Sequence, residues 1–170
     1  HLHCKFRKLR VFGFSDFSEI FNVNAVLRIL NFFEIFLNFL KYYKNILEIE
    51  HDNIGVIIDY GVTLQNLELS HQALEVYDRA LSLQPKNTSA LINKGSVLHA
   101  LEKYTDAITC YNIVLSIEKD NPIVLAYKGL CISETGNVQL ATKYFKKSLS
   151  IDNKCELAEI SINTAKCIMQ

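Results

Sequence analysis

Five histidines and five cysteines are the residues of this 170-residue chain best equipped for chemistry. His1, His3 and Cys4 stand close enough to clamp a soft metal ion, but no second pair of ligands follows at metal spacing. His51, His71 and His99 are scattered, as are Cys110, Cys131, Cys155 and Cys167. The sequence contains no Ser/His/Asp set and no glycine loop of the kind that cradles phosphate. His99 therefore reads as a solvated groove or surface histidine and not as a general base. The expectation is a protein without catalytic residues, cofactor or metal, and not an enzyme.

The cysteine count is odd and no CxxC pair occurs, which fits reduced thiols and an intracellular, cytoplasmic location. The Asn87-Thr88-Ser89 sequon is incidental on this reading, since no secretory signal precedes it. Lys+Arg and Asp+Glu both number 18, and zero net charge argues against nucleic acid or a charged membrane surface as partner. The chain opens on histidine, and Met169 is its one methionine. It reads as a fragment or a processed product. Lys5, Arg7, Lys8 and Arg10 give its start a faint likeness to a transit peptide.

The elements that must position any site come from a repeat. Gly61, Gly95 and Gly129 are spaced by 34 residues. Twelve residues after each comes Ala73, Ala107 or Ala141, and four further on Tyr77, Tyr111 or Phe145. The segments "LSLQPKN", "LSIEKDN" and "LSIDNKC" close the three units. Each unit reads as two amphipathic helices joined by a polar turn. A glycine in a helix interior costs about 1 kcal/mol relative to alanine. Its return at a fixed period predicts a close approach of the next helix to its backbone.

This pattern resembles the tetratricopeptide repeat, whose signature is W-x2-L-G-x2-Y, then A-x3-F, then P. The units here read Ile57-x2-Tyr60-Gly61-x2-Leu64, Leu91-x2-Lys94-Gly95-x2-Leu98 and Leu125-x2-Lys128-Gly129-x2-Ile132. Pro85 keeps the late proline, which Lys119 and Asn153 replace in the other units, and no tryptophan is present. The resemblance implies an all-α fold: an α-solenoid of stacked helix–turn–helix units at 54–87, 88–121 and 122–155.

Residues 156–170 are expected to cap the last unit as one amphipathic helix, with Leu157, Ile160 and Ile168 on its apolar side. Residues 1–19 form a poorly defined segment. Residues 20–53 align without gaps to a further, degenerate unit, because "FLKYYKNILEIEHDN" matches "ALEVYDRALSLQPKN". A loose helical hairpin is the preferred reading and one long helix the competing one. The small positions of the hairpin hold Leu27, Phe39 and Ile46, and the expected turn at Phe33 to Phe36 contains no turn residue. A polar stripe of Asn24, Arg28, Asn31, Glu34 and Asn38 argues against a transmembrane span. Nine of the ten phenylalanines lie between Phe6 and Phe39, so an apolar contact through this segment is a further possibility.

By resemblance, the first helix of each unit lines a concave peptide groove. Gln65 is among the lining positions, and the nine residues expected to meet a peptide are Asp59, Val62 and Asn66, then Asn93, Ser96 and His99, then Tyr127, Leu130 and Glu134. The resemblance implies a protein-interaction module, an adaptor or scaffold, that takes a protein or peptide partner. A regulatory or substrate-docking segment of a larger enzyme is the alternative. Family members that clamp the carboxylates of chaperone tails need Lys and Asn, then Asn, then Lys and Arg at five groove positions. Here these positions hold Ile58, Val62, Asn93, Ile123 and Tyr127, so no carboxylate clamp is expected.

Overall fold

The computed structural model describes residues 23–168, and among them eight α-helices and no strand. The 1–19 segment, with His1, His3 and Cys4, lies outside the described residues. In chain order the helices are α1 (Val23–Ile49), α2 (Ile54–Asn66), α3 (Ser70–Leu83), α4 (Thr88–Ala100), α5 (Tyr104–Ile117), α6 (Pro122–Glu134), α7 (Val138–Ile151) and α8 (Glu156–Ile168).

Each first helix starts in the same way. Asn53, Asn87 and Asn121 accept a hydrogen bond from the backbone N–H three residues on, at 3.2, 3.0 and 3.0 Å. Such a cap satisfies one of the donors left unpaired at a helix start and contributes about 1 kcal/mol. The same asparagines donate their amides back to Glu50, Gln84 and Glu118. The turns between paired helices repeat as well. Glu68 and Glu102 adopt a left-handed φ of 62°, and Gly136 at the matching position takes 91°.

The glycine period has a direct cause. A Cβ built on Gly61, Gly95 or Gly129 would lie 2.5, 2.6 or 2.5 Å from the ring of Tyr77, Tyr111 or Phe145. Those rings are buried, and each comes from the second helix of the glycine's own unit. Every unit is thus closed by an aromatic ring pressed on a bare stretch of backbone. Ala73, Ala107 and Ala141, all fully buried, let the two helices meet there. A continuous core follows: Leu91, Leu98, Tyr111 and Val114 of the second unit share one cluster with Val124 and Cys131 of the third.

Residues 23–49 form one uninterrupted helix, where the alignment to a repeat favoured a hairpin. The missing turn residue is not the reason. Glu34 stands one and two repeat lengths before Glu68 and Glu102, and both of those turn. Leu27 replaces the glycine, and Phe39 and Ile46 replace the buried alanines Ala73 and Ala80. A hairpin would drive a leucine into the ring of Tyr43, where Gly61 has no room even for a methyl group beside Tyr77. The C-terminal half of α1 still packs like the second helix of a unit, through Leu40 and Leu47 on the α2 core.

At the other end, α8 covers the third unit with Leu157, Ala158, Ser161 and Ile162. Ile160, expected on this apolar side, is 61% exposed. Positions 157 and 161, like 158 and 162, are one turn apart and share the inner face, which turns residue 160 to the outside. No helix among the described residues is long and apolar enough to cross a membrane.

Candidate functional site: the inner helix wall

The first helices of the units touch one another: α2 meets α4, α4 meets α6 and α6 meets α8. Among the described residues, the second helices α3, α5 and α7 make no such mutual contacts. The stack therefore bends toward the first helices, and their free faces form its concave side. All nine expected groove residues lie on α2, α4 and α6. Asp59, Asn66 and Glu134 are exposed, whereas Val62, Asn93, Ser96, His99, Tyr127 and Leu130 are half-buried.

Several of them also tie the wall together. Ser96 accepts a hydrogen bond from the Gln65 amide at 3.3 Å, and the Tyr77 hydroxyl donates to the same Gln65 at 3.3 Å. This chain joins the closing ring of the first unit to the wall of the second. Tyr127 stacks on Tyr111, with ring centroids 5.9 Å apart and planes within 15°. Lys128 lies over the Tyr144 ring, 4.5 Å from its centroid. At the N-terminal edge, burial and then the Asp59 carboxylate raise the Tyr43 phenol above its ordinary pKa, while Thr63 hydrogen-bonds to it. Asp59 thus faces α1.

Polar satisfaction differs between the units. Position 65 recurs as His99 and Ser133, and each lies in the same unit as a closing ring, Tyr77, Tyr111 or Phe145. Gln65 satisfies the Tyr77 hydroxyl, and Phe145 has no hydroxyl to satisfy. In the middle unit the Tyr111 hydroxyl and the His99 Nε2 are both buried without a hydrogen-bond partner. The His99 ring instead meets Tyr104 edge-on, with centroids 5.5 Å apart. Gln65, a lining position of the first unit, is thus the link between closing ring and wall. Burial raises the phenols of Tyr77 and Tyr111 well above their ordinary range and pushes the Cys131 thiol up to about 12. Among the described residues no three of His, Cys, Asp or Glu stand together as a metal site.

The family model described as tetratricopeptide repeat matches residues 55–87 and 88–121. Residues 55–121 carry two tetratricopeptide repeats. Solved tetratricopeptide-repeat structures share its fold at low identity. MamA of Desulfovibrio magneticus RS-1, from residue 41 to its end, is similar with a TM-score of 0.71 and 20% identity, over 76% of this chain and 73% of that one. The first tetratricopeptide domain of Spaghetti (RPAP3), bound to the HSP90 peptide SRMEEVD, has a TM-score of 0.64 and 15% identity, over 68% of this chain and 92% of that one. YrrB, described as having an unusual peptide-binding site, has a TM-score of 0.64 and 19% identity, over 72% of this chain and 63% of that one. No curated protein matches the chain. A tetratricopeptide-repeat solenoid is the fold of a protein–protein interaction module, built to present an extended concave surface.

Proposed function

We propose that the concave wall of α2, α4 and α6 binds an extended peptide segment of a protein partner. The observation that carries this reading is the alignment of Asp59, Asn93 and Tyr127. They hold the same repeat position on three successive helices that touch along the wall. An asparagine amide donates and accepts at once, so Asn93 suits a peptide backbone group of any sequence. Tyr127 offers a large, fairly rigid surface with a polar tip, already oriented by its stack on Tyr111. The fold's use for peptide binding in Spaghetti and YrrB supports the same reading. Neutral overall charge favours a peptide over a polyanion such as nucleic acid. Cys110, Cys131 and Cys155 are free and buried, which supports an intracellular location.

The wall is not of the carboxylate-clamp type. The five clamp positions hold Ile58, Val62, Asn93, Ile123 and Tyr127, so no cation offsets the desolvation of a doubly charged tail. Calorimetry with SRMEEVD should show no specific binding, and micromolar affinity would refute this part of the reading. For the groove itself, a partner captured on residues 54–170 is titrated against Asn93→Ala/Tyr127→Ala. Weakened binding at an unchanged melting temperature supports the groove. A lowered melting temperature with full affinity in the folded fraction would make these residues scaffolding only.

A further inference from the structure

The first helix carries a row of apolar residues that the peptide groove does not use. Ile35, Phe39, Tyr42, Ile46 and Ile49 are spaced by four, three, four and three residues, and all but Ile46 are exposed. One repeat length on, the same positions are Leu69, at the start of α3, and Ala73, Val76, Ala80 and Leu83 within it. There Ala73 and Ala80 are buried with Leu64 and Ile57 of α2, the first helix of their own unit. Among the described residues, the row on α1 is therefore a hairpin face without a mate. Because α1 runs straight, its own N-terminal half does not fold back to cover that face.

We propose that this face pairs with the α1 helix of a second copy of the chain, antiparallel, about a twofold axis at Tyr42. A four-three spacing is the seam of two helices packed side by side. In that arrangement Ile35 meets Ile49 of the second copy, Phe39 meets Ile46, and Tyr42 meets Tyr42. Asn38 and Asn45, both exposed, flank the seam and come opposite one another, where each amide can donate and accept. By helical spacing Lys41, Lys44 and Glu48 fall on the far side of α1, so no charge is trapped between the copies. The last described helix does not offer a competing mate. The open face of α8 presents Glu159 and Asn163 where α2 has Ile57 and Gly61, and burying them on the α1 row would leave polar groups without partners. Pairing is thus closed and twofold instead of an open head-to-tail stack. The seam is about 21 Å long, short for a permanent interface, so the dimer forms reversibly with concentration.

Sedimentation velocity of the full chain over a micromolar-to-millimolar series tests this. The wild-type chain should pass from monomer to dimer, Tyr42→Glu should stay monomeric, and Ile160→Glu on exposed α8 should behave as wild type. Two further variants read the register independently of hydrophobic loss. Asn38→Lys/Asn45→Lys sets like charges opposite each other and should abolish the dimer, whereas Asn38→Lys/Asn45→Glu should restore it. Wild-type chain that stays monomeric, including monomer that sediments with lipid vesicles, would overturn the proposal. So would a dimer indifferent to Tyr42→Glu, or assembly beyond the dimer.

Discussion

The two ends of the solenoid keep the same repeat register and are finished in opposite ways. The last described helix, α8, holds the register of a first helix, and its open positions 159 and 163 are glutamate and asparagine where a closed unit has Ile57 and Gly61. The C-terminal half of α1 is a second helix without its first, and its open positions stay apolar, with Phe39 46% exposed. Water can satisfy the first of these open faces. The second still favours burial. Register alone does not close a unit; the side chains at the hairpin face decide it.

The largest effect should appear at the closing ring. Phe145→Ala removes a fully buried ring from a closed unit and should cost about 3–5 kcal/mol. Tyr43→Ala, at the same register position on α1, removes a half-buried ring that meets no glycine and should cost well under half as much. Urea melts of the two variants would compare the regions directly, and equal losses would break the comparison.

Alkaline pH should weaken the closed units next, through their buried rings and thiol. The phenols of Tyr77 and Tyr111 and the Cys131 thiol keep their protons in the folded chain at pH values where the unfolded chain gives them up. The unfolded state therefore binds fewer protons, and stability falls as pH rises past about 8.5 for the thiol and about 10 for the phenols. Thermal melts between pH 8 and about 11 should show this decline, and Tyr77→Phe/Tyr111→Phe should flatten its upper part. A flat profile for the wild-type chain would contradict the buried-ring account.

The turn position offers a smaller contrast of opposite sign. Glu102→Gly relieves a left-handed glutamate and should stabilise by about 1 kcal/mol. Glu34→Gly, at the matching position inside α1, should destabilise by about 1 kcal/mol because it weakens a helix interior. Smallest of all, His99→Gln gives the Tyr111 hydroxyl the partner that Gln65 gives Tyr77. A gain of about 0.5–1 kcal/mol is expected in a thermal melt, and a loss would show that His99 holds the wall in some other way.

What could be read from the sequence follows from what constrains each position. The 34-residue period was legible because Gly61, Ala73 and Tyr77 meet at one contact that tolerates little else, and the same contact recurs in the next two units. The placement of the expected groove residues on the first helices followed from the family resemblance that this period carries. The straight course of α1 was harder to read, since Glu34 allows a turn and only Leu27 and Phe39 together disfavour the hairpin. Ile160 was placed on the wrong side of α8 because the helix carries apolar residues on two edges. The orphaned Tyr111 and His99 depend on how a ring and an imidazole sit within one unit, a detail that residue spacing does not encode.

The central claim is that a ring pressed on bare backbone closes each unit, and a double-mutant cycle at Gly95 and Tyr111 tests it most directly. Gly95→Leu alone should lose about 3 kcal/mol, the upper end for an overpacked core, despite the better helix propensity of leucine. Tyr111→Ala alone should lose a similar amount by leaving a cavity. In the double variant the leucine enters the space the ring has left. The measured loss in a urea melt should then fall short of the sum by about 1–3 kcal/mol. Strictly additive losses, or a Gly95→Leu chain as stable as the wild type, would contradict the account.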